Sequence, residues 1–280
     1  MKNILVVITT AFVPTGGLTT VMMNYYRMMN KEEVKIDFAS TNNPPQVLLD
    51  EIHASGSEYC QLPDRKNVLA YFFALKKLCR GYDGMHVHAN SAMAVMELQA
   101  AIWAGIKIRI IHNHSSRSQH NLLNQLFLSL YRRSFTQAVA CSDEAGEWLY
   151  GKNGFITLRN AINAKRFKFD VVKRLIMRHN FGFGDDEYVI GHIGKFMEAK
   201  NHPFLIEVFT KYHALQPKSK LLLIGDGELR HLVEAAIDKN KVNDCVILAG
   251  LRSDIPDVLQ AIDIFLFPSI YEGMPDRKSV

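Results

Sequence analysis

Short apolar runs rich in β-branched residues alternate along this chain with longer stretches whose apolar residues recur every three or four positions. Strand, helix, strand in that order closes as a parallel pair crossed by the helix, since an antiparallel return needs only a short turn. Residues 4–8 read as a first buried strand. Gly16 and Gly17 come next, and then Leu18, Val21, Met22, Tyr25 and Met29 fall at helical spacing. Residues 34–39 read as a strand, 67–80 as a helix, 85–88 as a strand, 91–104 as a helix, 106–112 as a strand, 122–135 as a helix and 138–141 as a strand. Ser142 and Asp143 are then capping candidates for a further helix.

Residues 163–186 are charged and carry no strand pattern, which places a domain boundary there. A second series begins beyond them, with strands at 188–193, 220–224, 245–249 and 264–267 and helices at 201–214, 228–239 and 254–261. The expectation is an α/β chain of two Rossmann-like, doubly wound domains, residues 1–165 and 166–280. Such sheets bind ligands outside the carboxyl ends of their strands, and two of them facing each other create a cleft.

Composition excludes several classes. Hydrophobic residues make up 48% and charged residues 22%, which is ordinary for a globular chain and not for a disordered or fibrous one. Thirty-three Lys and Arg against 28 Asp and Glu give a net charge of +5, too small for nucleic acid but compatible with an anionic small ligand or a membrane surface. The four cysteines, Cys60, Cys79, Cys141 and Cys245, form no CxxC pair, so neither zinc nor a disulfide framework is indicated and a reducing cytoplasm fits. The longest apolar stretch, residues 92–106, contains Glu97 and Gln99 and falls short of a membrane span. The first 14 residues resemble a signal peptide, but Thr9 and Thr10 break the apolar run, and a first buried strand is the better reading.

Candidate chemistry lies in the residues just past the end of each strand. Residues 188–193 lead into Gly194-Lys195-Phe196-Met197-Glu198-Ala199-Lys200-Asn201-His202, with two lysines five apart ahead of a helix. Backbone N–H groups at a helix start favour an anion, and each ammonium adds about 4 kcal/mol of attraction at 4 Å and an effective dielectric near 20. A diphosphate suits the pair, although lysines are more often solvated surface residues. Gly225-Asp226-Gly227-Glu228 comes after the next strand and permits a close backbone approach or a plain turn; it lacks the third glycine of the dinucleotide fingerprint. The last strand leads into Pro268-Ser269-Ile270-Tyr271-Glu272-Gly273-Met274-Pro275, where Glu272 could accept hydrogen bonds from sugar hydroxyls or stand as a solvated loop acid. In the first half, His86 and His88 end one strand and His112 and His114 another, each pair on one face. No carboxylate or cysteine motif accompanies them and the pairs lie on different strands, so no metal is expected and a polar cleft lining is the preferred role.

Taken together these pieces resemble the retaining GT-B glycosyltransferases of family four, in particular the bacterial exopolysaccharide and capsular type. The resemblance runs from Lys2 to Pro275 and rests on Gly16-Gly17, His86-Val87-His88, His112-Asn113-His114-Ser115, Ala140-Cys141-Ser142, Asn160-Ala161-Ile162 and the three loops just described. It implies transfer of a sugar, without a metal or other cofactor, from a nucleotide-diphosphate donor of the UDP-sugar kind to a glycan or lipid-linked acceptor, with retention at the anomeric carbon. It implies that Lys195 and Lys200 hold the diphosphate, with Gly194, Asp226, Gly227, Ser269 and Gly273 around the donor. Glu272 would contact the donor sugar, His112 or His114 would be the cleft histidine, and Gly16 and Gly17 would approach the donor phosphates or the acceptor. Lys195 departs from the arginine usual at that place, keeping the charge and losing the guanidinium fork. Location in the cytoplasm, at the inner face of the membrane, goes with such acceptors.

The end of the chain departs from the family as well. A second glutamate is expected eight residues after Glu272, where Val280 stands, and Asp276-Arg277-Lys278-Ser279 is polar where an apolar segment is expected. The expectation is a C-terminally truncated second domain that binds donor weakly and transfers sugar poorly. Two other functions share features of the sequence: a non-hydrolysing sugar-nucleotide epimerase, which has the same architecture, and a non-catalytic nucleotide-sugar-binding module. The absence of GxGxxG after any strand weighs against a dehydrogenase.

Overall fold

A computed structural model describes residues 1–14, 16–115 and 121–270. These divide into two compact units that meet in sequence at Ile162 and Asn163.

The first unit runs β1 (Lys2–Ile8), α1 (Gly17–Met28), β2 (Val34–Ser40), α2 (Gln46–Ala54), β3 (Tyr59–Gln61), α3 (Val68–Cys79), β4 (Gly84–Ala89), α4 (Val95–Trp103), β5 (Ile108–Asn113), α5 (Asn121–Ser134), β6 (Gln137–Ala140), α6 (Asp143–Tyr150) and β7 (Phe155–Thr157). All seven strands are parallel, in the order β3-β2-β1-β4-β5-β6-β7. Alternation along β1 separates two cores. Leu5 and Val7 join Tyr71, Leu75, Leu98, Tyr131 and Leu149 from α3 to α6, whereas Val6 and Ile8 join Met22, Tyr26, Leu48 and Ile52 from α1 and α2. Both faces of a parallel sheet are thereby covered, as its continuous apolar strands require. Ser142 caps α6 by accepting from Ala145 N, and Asp143 becomes the first helical residue.

The second unit runs α7 (Val171–Asn180), β8 (Tyr188–Ile193), α8 (His202–Leu215), β9 (Ser219–Ile224), α9 (Arg230–Asn240), β10 (Val246–Gly250), α10 (Ile255–Val258) and β11 (Ile264–Phe265). Its sheet is parallel, in the order β10-β9-β8-β11. Ile190, Leu221 and Leu223 pack under α8 and α9, while Val189, Leu222 and Ile224 pack toward Met177 of α7 and Val258 of α10. Arg178, 3% exposed, fixes α7 to this sheet: its guanidinium donates to the carbonyls of Gly184 and Glu187 at 2.6 Å and reaches Asp263 at 3.3 Å. Asp263 in turn accepts from Val189 N at 2.7 Å.

Several elements escape the sequence pattern. Helix α2 and the three-residue strands β3 and β7 are too short to show a period. The segment at 163–186 lacks a strand, as expected, but contains α7, which Asp170 caps through Val172 N and Lys173 N. Helix α7 has exposed Val171, Val172, Leu175 and Ile176 beside its buried Met177, so its apolar residues do not mark one face.

Candidate functional site

In each unit the strand order reverses beside the first strand of that unit, between β1 and β4 and between β8 and β11. Loops on either side of such a switch diverge at the carboxyl ends and leave a crevice for a ligand. The segments singled out after β1, β4, β8 and β11 flank these two places, and those after β5 and β9 lie one strand away.

In the second unit the loop after β8 and the loop after β9 are pressed together backbone to backbone. Gly194 N donates to Ile224 O at 2.9 Å, Phe196 N to Asp226 O at 3.0 Å, and Leu229 N to Phe196 O at 3.1 Å. A Cβ on Gly225, whose φ is +141°, would lie 2.1 Å from the Gly194 oxygen, and one on Gly227 would lie 2.5 Å from the Phe196 oxygen. No residue larger than glycine fits at either position without parting the loops.

The two lysines differ. Lys195 is exposed, with its ammonium 3.3 Å from Glu228 Oε2. Lys200 is half-buried, and its aliphatic stem lies over Gly194, within 3.4 Å of where a Cβ would stand. It ends a single 3-10 turn, Glu198–Lys200. Asn201 comes next with φ 55° and ψ 44°, a left-handed conformation uncommon outside glycine and asparagine, and α8 starts from it without a side-chain cap. The N-terminal N–H groups of α8 are thus left to other partners. The segment after β11 closes on the same turn, Ile270 N donating to Ala199 O at 2.9 Å. Beside it, Ser269 Oγ is buried with no hydrogen-bond partner. Asp226 spends its carboxylate locally, accepting from Gly227 N at 2.8 Å and facing Arg230 at 3.6 Å. Glu272 and Gly273 lie outside the described residues.

In the first unit Gly16 is the extended N-cap of α1 and Gly17 its first residue, with open space where a Cβ would project from Gly17. The helix start has no side-chain cap. Across the switch, Thr9 donates from N and Oγ1 to His88 O, at 3.2 and 3.0 Å, tying the β1 loop to the end of β4.

The two histidine pairs belong to different strands, which in the sequence weighs against a shared metal and for a polar cleft lining. In the structure β4 and β5 are neighbours, with His88 paired to His112 in register. All four rings therefore gather on one face, the face of Val6 and Ile8. Ring centroids are 4.3 Å apart for His86 and His88, 5.1 Å for His88 and His112, and 4.1 Å for His112 and His114. His88 Nδ1 and His114 Nε2 are 2.9 Å apart. His86 Nε2, His114 Nδ1 and both ring nitrogens of His112 have no hydrogen-bond partner. Burial disfavours the charged ring, and each imidazolium would repel its neighbours. Burial by itself lowers the pKa of His86 to about 4; burial first, and then repulsion between rings, lower that of His114 to about 3 and hold His88 and His112 well below the ordinary value. At neutral pH the cluster is uncharged. Asn90, just past β4, was missed by sequence reading; its Oδ1 is buried and unpartnered, a state no local pattern reveals.

Parallel doubly wound units with these glycine-bound loops are the GT-B glycosyltransferase architecture, and comparison with known structures bears this out. The chain superposes on HepE of Anabaena, solved with UDP and glucose, with a TM-score of 0.82 at 16% identity, covering 98% of this chain and 76% of that one. Residues 173–275, which take in most of the second unit, match the family model Glycosyl transferases group 1. The chain is 28% identical over 277 residues to EpsF of Bacillus subtilis (strain 168), named there as a glycosyltransferase, covering 93% of this chain and 72% of the relative. It is 24% identical, with the same coverages, to the Escherichia coli UDP-Gal:alpha-D-GlcNAc-diphosphoundecaprenol alpha-1,3-galactosyltransferase. Among the described residues no helix is long and apolar enough to cross a membrane.

Proposed function

We propose that this glycosyltransferase moves a sugar from a UDP-sugar to a glycan or lipid-linked acceptor during exopolysaccharide or capsule assembly, with retention at the anomeric carbon. The observation that carries the reading is the backbone-to-backbone seam of Gly194 and Phe196 with Gly225 and Gly227, beside Lys200 and the buried, unpartnered Ser269 Oγ. Glycine at 194, 225 and 227 leaves the main chain of these loops bare of side chains at those three positions, so a ligand can approach it there, and the surrounding donors and ammonium groups suit a diphosphate. The name of the Escherichia coli relative specifies a UDP-sugar and a diphosphate-linked lipid acceptor, and HepE was solved with UDP.

In this reading the bond between the anomeric carbon and the donor phosphate oxygen breaks as the acceptor oxygen bonds to that carbon. Negative charge grows on the departing diphosphate, where Lys200 and Lys195 stabilise it more strongly in the transition state than in the ground state. Ser269 donates a hydrogen bond to the donor. Glu272 accepts from its sugar hydroxyls. His112 or His114, neutral at working pH, donates N–H to a sugar hydroxyl. Gly16 and Gly17 leave the start of α1 open to a phosphate or to the acceptor. None of these steps calls on a metal. Peripheral attachment at the cytoplasmic membrane face would accompany a lipid-linked acceptor.

The test is calorimetry with UDP, and then transfer from labelled UDP-sugars to a synthetic polyprenyl-diphosphate sugar, with the product's anomeric configuration read by NMR. UDP binding and an axial-to-axial outcome are expected. Epimerised donor formed without acceptor, or UDP binding with no transfer to any acceptor tried, overturns the assignment.

A further inference from the structure

We propose that His86, His88 and His112 form a three-nitrogen site for a divalent transition-metal ion of the zinc class, with His114 holding His88 in the ligating orientation. Each of the three offers a ring nitrogen, and these atoms lie within 4.8 Å of one another. Tetrahedral zinc with Zn–N of about 2.0–2.1 Å puts ligand nitrogens roughly 3.3 Å apart, so ring rotation must bring them together by at most about 1.5 Å. The strands fix the rest: His88 and His112 are register partners on adjacent parallel strands, and His86 is two residues from His88 on the same face.

Two further observations point to a ligand. His112 is fully buried with both nitrogens unpartnered, and His86 Nε2 is buried and unpartnered as well. Buried polar atoms are rarely left so, and a bound ion satisfies them. The 2.9 Å contact of His88 Nδ1 with His114 Nε2 has the form of an outer contact on a metal-bound imidazole, in which the ring nitrogen away from the metal donates to a neighbour. Being neutral, the rings are already in the ligating form. Three imidazoles and one open position suit zinc, cobalt, nickel or copper better than magnesium or calcium, which prefer oxygen. The inference does not rest on the transfer reaction, and its test uses no sugar nucleotide.

Chelator-treated full-length protein is titrated with Co²⁺, monitored by visible absorption, and then with Zn²⁺ in competition. The expected result is one Co²⁺ per chain with tetrahedral d–d bands, no thiolate charge-transfer band, and displacement by Zn²⁺. His86→Gln and His112→Gln should each weaken binding at least 100-fold, and His114→Gln between about 10- and 100-fold. Far-UV circular dichroism and metal-free melting identify which variants fold. Cys245→Ser should bind as the parent does; it removes a thiol 3.2 Å from His213 Nε2, a Cys–His contact that could hold Co²⁺ elsewhere. Absence of stoichiometric Co²⁺ binding by the parent protein overturns the proposal, whatever the variants do. Binding unchanged in folded His86→Gln and His112→Gln, or a thiolate band lost in Cys245→Ser, overturns it too.

Discussion

Gly225 lies so close to Gly194 that a Cβ at position 225 would stand 2.1 Å from the Gly194 carbonyl oxygen. That contact joins the loops after β8 and β9. Gly225→Ala also meets a φ of +141°, which side chains rarely adopt. The expected cost is about 1–3 kcal/mol of stability in the second unit. UDP affinity should fall further than this cost explains, because the seam itself opens. Urea unfolding and UDP calorimetry on Gly225→Ala, with Gly105→Ala at another positive-φ glycine as comparison, check this. An unaltered UDP affinity in the folded variant would count against a ligand at the seam.

Lys200 should matter more than Lys195. The Lys195 side chain is 58% exposed and its ammonium is close to Glu228, so solvent and that carboxylate already screen it. The stem of Lys200 lies over Gly194 and is half-buried. Lys200→Ala is expected to weaken UDP binding by about tenfold or more, the loss of a charge-assisted hydrogen bond of about 1.5–3 kcal/mol. Lys195→Ala should weaken it less, and its effect should shrink faster as salt rises. Calorimetry at two ionic strengths measures both, and equal losses would contradict the assignment.

The histidine cluster gives the first unit a defined acid sensitivity in metal-free protein. The folded pKa values of His86 and His114 are lowered to about 4 and about 3, from 6.5 for the free side chain. The unfolded chain therefore binds more protons below about pH 6.5, and stability falls as pH falls. The contribution is fully present above pH 6.5 and is lost progressively down to about pH 3. Melting temperatures between pH 7.5 and 4 should decline, and His86→Gln should flatten the slope in its part of that range. An identical slope in the folded variant would show that burial does not hold this ring neutral.

A buried acid in the first unit offers a test of packing alone. Glu97 is fully buried, 2.9 Å from Arg65 Nε, and accepts from Tyr71 Oη at 2.9 Å. Arg65→Met should destabilise the unit by about 3–5 kcal/mol because it leaves that carboxylate unpaired. Adding Glu97→Leu should recover most of the loss. Failure to recover would place the cost in lost Arg65 packing instead of the stranded charge.

Much of the fold was legible because it is written in periods. Residues 188–193 were expected as a strand and form β8 with those bounds. Ser142 was readable as a cap because its chemistry is local. Lateral neighbourhood, by contrast, leaves no trace in a local pattern. His88 and His112 are 24 positions apart, and nothing in either segment says that β4 and β5 are adjacent; that is set by long-range packing. The same gap hid which backbone Gly225 approaches: the glycines permitted a close approach or a plain turn, and only the pairing of β8 with β9 brings Gly194 against them. Ser269 was picked out by motif, whereas the isolation of its hydroxyl emerges only once the segment after β11 closes on Ala199.

Asn201 separates the charge of its loop from its aim. With φ at 55°, it reverses the backbone between Lys200 and the first turn of α8. Valine or isoleucine at 201 would leave every ionic atom of the loop in place and yet resist that reversal, so the ammonium would point somewhere else. Inspection of charged positions alone would pass such a variant as intact. Asparagine, glycine or aspartate at this one place is therefore as informative a signature of a working loop as the lysine before it.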